Sequence, residues 1–218
     1  MSDKNISRIV YKHYKMYFFE TKRFLELEED TTLVISNDKP VIQELYHEDT
    51  VLCETVIEYF HMDGSEEIAV VLSEKILKLF KLYKIFSIDS TKVFFGDITL
   101  EYQKGEIQTL ESTEPMKLSC IVNIDESLLV EDDCTTCKIN IDDNLNLEFD
   151  NKITFHKKTF KTFHTSHKQK FNFDLLSPIL NDHKGQMCKI YMNDDRPLCL
   201  EFLRDTVIRY HVAPMYED

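Results

Sequence analysis

The sequence predicts an α+β fold: two similar domains, each an antiparallel sheet with helices confined to one face. Three observations lead there. Strand-like and helix-like segments run through the same order twice: strand, helix, several strands, helix, several strands. Between the two runs, residues 103–115 are polar, carry only Ile107 and Leu110 as apolar side chains, and show neither a helical nor a strand period. Finally, four glycines and five prolines in 218 residues leave the chain few breakers, which argues against disorder. The expected boundaries are a first domain at 1–103, a connector at 104–115 and a second domain at 116–218.

Residues 6–14 alternate well enough for a strand. From 16 to 29 the period changes, with Phe18, Phe19, Leu25 and Leu27 interleaved with Lys22, Arg23 and Glu26, which suits an amphipathic helix. Segments 33–36, 41–46, 50–58 and 68–71 read as strands separated by polar turns. Ser73 then caps a helix that runs to 84. At about 100° per residue, Leu72, Ile76, Leu79, Phe80 and Tyr83 share one sector, Lys78 and Lys81 lie opposite, and Lys75 and Lys84 flank them. Segments 85–89, 91–95 and 98–102 return to strand character.

After the connector the order begins again. A strand is expected at 116–124, a short helix at 125–132, and strands at 134–141, 145–149, 153–156, 160–163 and 170–173. Ser177-Pro178 fits the cap and first turn of the next helix, and Lys184-Gly185 fits its end, with a cation and a residue that tolerates the left-handed conformation. A three-stranded meander follows at 187–192, 198–203 and 206–212. The chain leaves that sheet at Ala213-Pro214, because proline has no N–H to give to a ladder.

The formal net charge is −13, from 26 Lys and Arg against 39 Asp and Glu. Phosphate affinity comes from concentrated positive charge, so this balance counts against a nucleic-acid partner unless the basic groups share one face. The six cysteines show no framework spacing and sit mostly in apolar runs. With no legible leader and no apolar run of membrane length, reduced buried thiols and no membrane partner are expected. Cys134-Thr135-Thr136-Cys137, with His164 and His167, has the makings of four zinc ligands. However, residues three apart on a strand point to opposite faces, so no metal and no cofactor is expected. His13, His47, His61 and His156 stand near no nucleophile, and the acidic clusters lack a calcium-loop context, so the chain is not expected to be an enzyme.

From Phe171-Asn172-Phe173-Asp174-Leu175-Leu176 to the acidic tail after Ala213-Pro214, the sequence resembles the end of the eukaryotic sliding clamp, the proliferating cell nuclear antigen (PCNA) family. The likeness is specific over roughly the last fifty residues. Elsewhere, Ser73-Glu74-Lys75-Ile76-Leu77-Lys78 is similar to the second helix of that family's first domain, and Pro40-Val41-Ile42-Gln43-Glu44-Leu45-Tyr46 to the segment that meets client peptides. His211 stands where the family usually has tyrosine, Tyr216 is a further departure, and 125–132, where a channel helix is expected, has no basic residue.

The resemblance implies a DNA-clamp fold and a non-enzymatic processivity factor: a ring, expected to be a homotrimer, that encircles double-stranded DNA in the nucleus. It would be opened by a clamp loader and would tether DNA polymerase and other client proteins through short peptide motifs. It places Lys75, Lys78, Lys81 and Lys84 against DNA, joined by Lys22 and Arg23 on the first helix and His183 and Lys184 at the last. It places Leu45, Leu110, Pro197, His211, Ala213 and Pro214 around the client peptide. The last strand of the first domain, 98–102, would pair with an edge such as 160–165 of a neighbour. The alternatives are a subunit of a heterotrimeric, checkpoint-type clamp, or a clamp-fold scaffold that no longer forms a ring.

Overall fold

The computed structural model describes residues 14–17, 31–35, 41–46, 51–56, 60–62, 67–83, 85–108, 116–125, 134–150, 154–163, 166–193, 196–203 and 207–215. They fall into two compact units. Unit 1 is Met1–Val41 with Ile57–Ile107, and unit 2 is Ile42–Val56 with Gln108–Asp218.

The chain begins with strands β1 (Tyr14–Tyr17), β2 (Thr32–Ile35), β3 (Val41–Tyr46), β4 (Val51–Val56), β5 (Phe60–Met62) and β6 (Ile68–Val71). Helix α1 (Glu74–Leu82) and strands β7 (Ile85–Ile88), β8 (Lys92–Phe95) and β9 (Ile98–Glu101) complete the first half. Strands β10 (Leu118–Asn123), β11 (Thr136–Ile141), β12 (Asn144–Phe149), β13 (Thr154–Lys158), β14 (Lys161–Thr162) and β15 (Ser166–Asn172) lead to helix α2 (Phe173–Asp182). The last three strands are β16 (Met187–Tyr191), β17 (Leu198–Leu203) and β18 (Val207–Val212).

Unit 1 is built on a five-stranded antiparallel sheet in the order β5-β1-β7-β8-β9; β2 and β6, in the same unit, also pair antiparallel. α1 closes the core. Phe80 packs tilted against Phe86 of β7 and edge-on against Phe95 of β8, with ring centroids 4.6 and 5.3 Å away. Ile76 and Leu77 are buried beneath the helix. Burying a ring such as Phe86 or Phe95 contributes about 1.5–3 kcal/mol, so this cluster sets which face of α1 points outward. Residues that follow β9 stay attached to the unit: Gly105 N donates to Ala69 O at 3.1 Å and Val71 N to Gln103 O at 2.9 Å. A side chain at Gly105 would put its Cβ 2.8 Å from a methyl of Thr32, which explains the glycine.

Unit 2 stacks two antiparallel sheets around a single core. One runs β14-β10-β16-β17-β18-β4-β3, the other β13-β12-β11-β15. Alternate residues of the first sheet turn inward, among them Cys188, Ile190, Leu200, Phe202, Ile208, Tyr210, Val212, Val51 and Cys53. They meet Ile139, Leu147 and Phe171 of the second sheet and Phe173, Leu176, Ile179 and Leu180 of α2. The strands 42–56 belong with this unit because β4 pairs along β18, with Val51 opposite Val212 and Thr55 opposite Ile208.

Among the expected boundaries that move, two are at the starts of helices. Met16 and Tyr17 are not the start of a helix but lie in β1, held between β5 and β7; the rest of 18–30 lies outside the described residues, as does the short helix expected at 125–132 from residue 126 on. The second helix begins a full turn before Ser177-Pro178. Its cap is Asn172, whose side chain accepts from Asp174 N at 2.9 Å, so Pro178 sits inside the helix. Proline there forfeits one intrahelical hydrogen bond. The buried row Phe173, Leu176, Ile179 and Leu180 outweighs that loss. The helix also ends earlier than Lys184-Gly185, at Asp182 with His183 as its cap and no basic residue in its last turn; Gly185 follows in the left-handed conformation at φ 81°, its N–H on Ile124 O at 2.6 Å.

Candidate functional site

Two groups of residues carry functional expectations, one on α1 and one at the end of the β17–β18 hairpin. On α1, with Phe80 and Ile76 committed to the sheet, Lys75 and Lys78 are exposed. Glu74 in the first turn suits the positive end of the helix dipole. It also binds Lys78, one turn along, in an ion pair. The hydrogen bond from Lys78, and then its charge, hold the Glu74 carboxyl below its ordinary range. Lys81 lies on the same helix with its side chain outside the described residues, and Lys84, Lys22 and Arg23 lie outside them altogether.

At the end of α2 the expectation divides. Lys184 is exposed. His183 is not a surface cation: it is 2% exposed, stacked 3.8 Å from Phe202, with Nε2 3.1 Å from the Tyr210 hydroxyl and Nδ1 3.1 Å from Gln186 Oε1. The meander that follows α2 brings Phe202 and Tyr210 under the helix end, and the imidazole fills the space between them. The exposed residues of α2 itself include Asp174, Asn181 and Asp182, and its last turn has no basic residue.

The register of β17 and β18 gathers most of the second group. Leu198 pairs with Val212, and Val212 with Val51, so Pro197 and Ala213, one residue further on, lie at the same end of the sheet beside the start of β4. Pro197, Ala213 and Pro214 are half-buried; His211, one position back, is 5% exposed; Leu45 on β3 is 39% exposed. Leu110 lies outside the described residues. Just after Pro214, Met215 N donates to Lys170 O of β15 at 2.8 Å.

The outward face of the same sheet carries a row of charges that the sequence reading missed. Lys189 pairs with Glu201, Glu201 with Arg209, and Arg209 with Glu54, one from each of β16, β17, β18 and β4. Glu201 Oε1 accepts from Lys189 Nζ at 2.7 Å and Oε2 from Arg209 Nε at 2.8 Å. Burial pushes the Glu201 carboxyl up, but those two hydrogen bonds and charges outweigh it and hold it below the ordinary range. Glu54 is likewise held low: burial opposes it, while hydrogen bonds from His211 and Gln43 and the charges of His211 and Arg209 favour the anion. The one sequence-level signal was a carboxylate or amide inside an apolar strand, Glu54 within Val51–Val56 and Gln43 within Val41–Tyr46.

All six cysteines are buried, each as a thiol. Burial drives the thiols of Cys120, Cys137 and Cys199 up to about 12, which leaves them inert. Cys134 and Cys137 both belong to the unit 2 core, and among the described residues no three His, Cys, Asp or Glu side chains are placed to hold a metal. Nor is any helix among them long and apolar enough to cross a membrane.

No family model matches the chain, and no curated protein matches it in sequence. Solved structures do match it in fold. A. fulgidus PCNA with the C-terminal region of FEN-1 bound superposes with a TM-score of 0.60 at 14% identity, covering 95% of this chain and 99% of that one. PCNA from Thermococcus kodakaraensis gives 0.56 at 14% identity, with 93% and 100% covered. The Sulfolobus tokodaii PCNA2–PCNA3 complex gives 0.56 at 13% identity, with 94% and 100% covered. The chain has the fold of the PCNA clamps.

Proposed function

We propose that this chain is a subunit of a sliding clamp, a non-enzymatic processivity factor that encircles duplex DNA in the nucleus and tethers polymerases and other clients. The observation that carries the reading is the fold likeness itself, which extends over nearly the whole of this chain and nearly the whole of each clamp. A clamp makes no bond. It needs a closed ring whose inner wall attracts phosphates weakly and without reading bases. Lys75 and Lys78 on α1 and Lys184 after α2 are exposed cations of the kind such a wall requires.

Ring closure would use sheet edges, which a stable chain otherwise has to protect. β9 ends the unit 1 sheet, and β13 and β14 end the two sheets of unit 2. Phe160 and Phe163, beside β14, are exposed aromatic residues at such an edge. Clients would enter beside Leu45, Pro197, Ala213 and Pro214, with a helical plug seated near the connector. The deciding experiment loads the protein with a clamp loader onto closed circular duplex DNA. Retention on the circle, followed by loss when the circle is cut, supports the ring; equal loss from both refutes it.

One observation favours a second reading. The exposed face of α2 carries Asp174 and Asp182 and no lysine, so three identical copies would repeat an acidic helix around the phosphates. A hetero-oligomeric clamp, in which other subunits supply the basic helices, avoids this. A trimeric mass for the purified chain in sedimentation supports the homotrimer; a persistent monomer at micromolar concentration supports the mixed ring.

A further inference from the structure

The row of charges on the unit 2 sheet does not stop at Glu54. Gln43 of β3 donates from Nε2 to Glu54 Oε1 at 3.1 Å, and the same Nε2 donates to Gln108 O at 3.0 Å. Its Oε1 accepts from Gln108 N at 3.1 Å. One side-chain amide thus holds both polar groups of a single residue, the pattern by which one strand residue holds another. Gln43 is 5% exposed, so each of these bonds replaces water that is not there.

The orientation of that amide is not arbitrary. Were it reversed, its oxygen would face the Glu54 carboxylate and its NH2 would face the Gln108 N–H. Glu54 therefore decides which way Gln43 points, provided Glu54 is an anion, and Arg209 on one side with His211 on the other keep it one. Glu54 Oε2 lies 3.2 Å from His211 Nε2. A carboxylate only accepts, so Nε2 carries the proton, and His211 Nδ1 is buried with no hydrogen-bond partner among the described residues. The other ring nitrogen holds Glu54.

We propose that Gln43 is a clasp that fixes Gln108, the residue leading into the segment at 109–115, against the outward face of the unit 2 sheet, and that Glu54 and His211 are positioning residues that orient it. The consequence for clients rests on the reading above, in which that segment and the tail form the client seat. With the clasp in place, Gln108 is fixed before a client arrives, so the cost of ordering that residue is already met.

The test is backbone amide exchange in the full-length protein, read by NMR. In Gln43→Leu, which keeps the volume and loses the bonds, exchange at Gln108 should rise at least about tenfold while Tyr210 and Phe202 keep their protection. Glu54→Leu should release Gln108 as well, and Glu54→Gln, which restores an acceptor, should largely rescue it. Unchanged protection at Gln108 in Gln43→Leu overturns the proposal. If Gln43→Leu loses Tyr210 protection too, Gln43→Glu is read instead. Its carboxylate faces that of Glu54, with Arg209 and His211 alongside, so the protection factor of Gln108, taken against the intrinsic exchange rate at each pH, should be low at neutral pH and recover as the pH falls and one carboxylate takes up a proton; a protection factor that does not change with pH overturns the proposal. In parallel, a fluorescein-labelled peptide with an aliphatic and an aromatic residue one helical turn apart is titrated. Released Gln108 with weaker peptide binding supports both readings, whereas released Gln108 with unchanged binding upholds the clasp and removes the client seat.

Discussion

Glu74 is the one acid on the exposed lysine face of α1, and it is tied to Lys78. Glu74→Gln removes the charge, keeps the size, and leaves Lys78 to find another anion. If that face meets DNA, each lysine that reaches a phosphate steepens the fall of log K with log salt by about 0.9. One released lysine per subunit in a ring of three adds about 2.7 to the slope, and over a fourfold change in salt that is roughly 40-fold in retention. The assay is retention on closed circular duplex DNA between about 50 and 200 mM salt, with the fold of each variant checked by thermal melting. Lys75→Ala with Lys78→Ala should move the slope the other way. A wild-type slope in both the glutamine variant and the double lysine variant would refute the reasoning, because a solvated face with no phosphate partner predicts that null result.

Glu201 has a folded pKa below its ordinary 4.5, so its contribution is complete above the unfolded value and is lost as pH falls through the folded one. The melting temperature of the wild type should therefore drop more steeply below about pH 4.5 than that of Glu201→Gln. His183→Ala removes the contact between Nε2 and the Tyr210 hydroxyl and leaves a gap over Phe202; it should lower stability in urea by roughly 1–3 kcal/mol and leave the DNA salt slope unchanged. Arg209→Met should destabilise more than Lys189→Met. Arg209 stands between two carboxylates, Glu201 and Glu54, and Lys189 at the end of the row pairs with Glu201.

Strands 41–46, 68–71 and 198–203 were legible to the residue, since apolar runs with polar turns on either side leave little room for another boundary. α1 was legible because its two faces differ, and the structure buries Ile76 and turns Lys75 and Lys78 outward. The start of α2 was not. Ser177-Pro178 is a stronger local signal than Asn172, but the helix begins where Phe173 and Leu176 can reach the core, and burial of two large side chains exceeds the loss of one hydrogen bond at Pro178. His183 failed for the same reason: a histidine at a helix end next to a lysine reads as a surface cation until Phe202 and Tyr210, from two later strands, are placed beneath it.

The charge row shows where reading one residue at a time stops. Lys189, Glu201 and Arg209 come from adjacent strands of the meander, whereas Glu54 comes from the first quarter of the chain. Only the pairing of β18 with β4 makes the four a sequence of alternating sign. That arrangement also changes what the net charge of −13 means. Glu201 and Glu54 are counted in the sum as if they repelled a polyanion, yet each is neutralised locally by a cation on the next strand, so neither adds an uncompensated charge to the surface. What bears on a DNA partner is instead how many lysines stand on one helical face without an acid beside them. Among the described residues of α1, Glu74 sets that number.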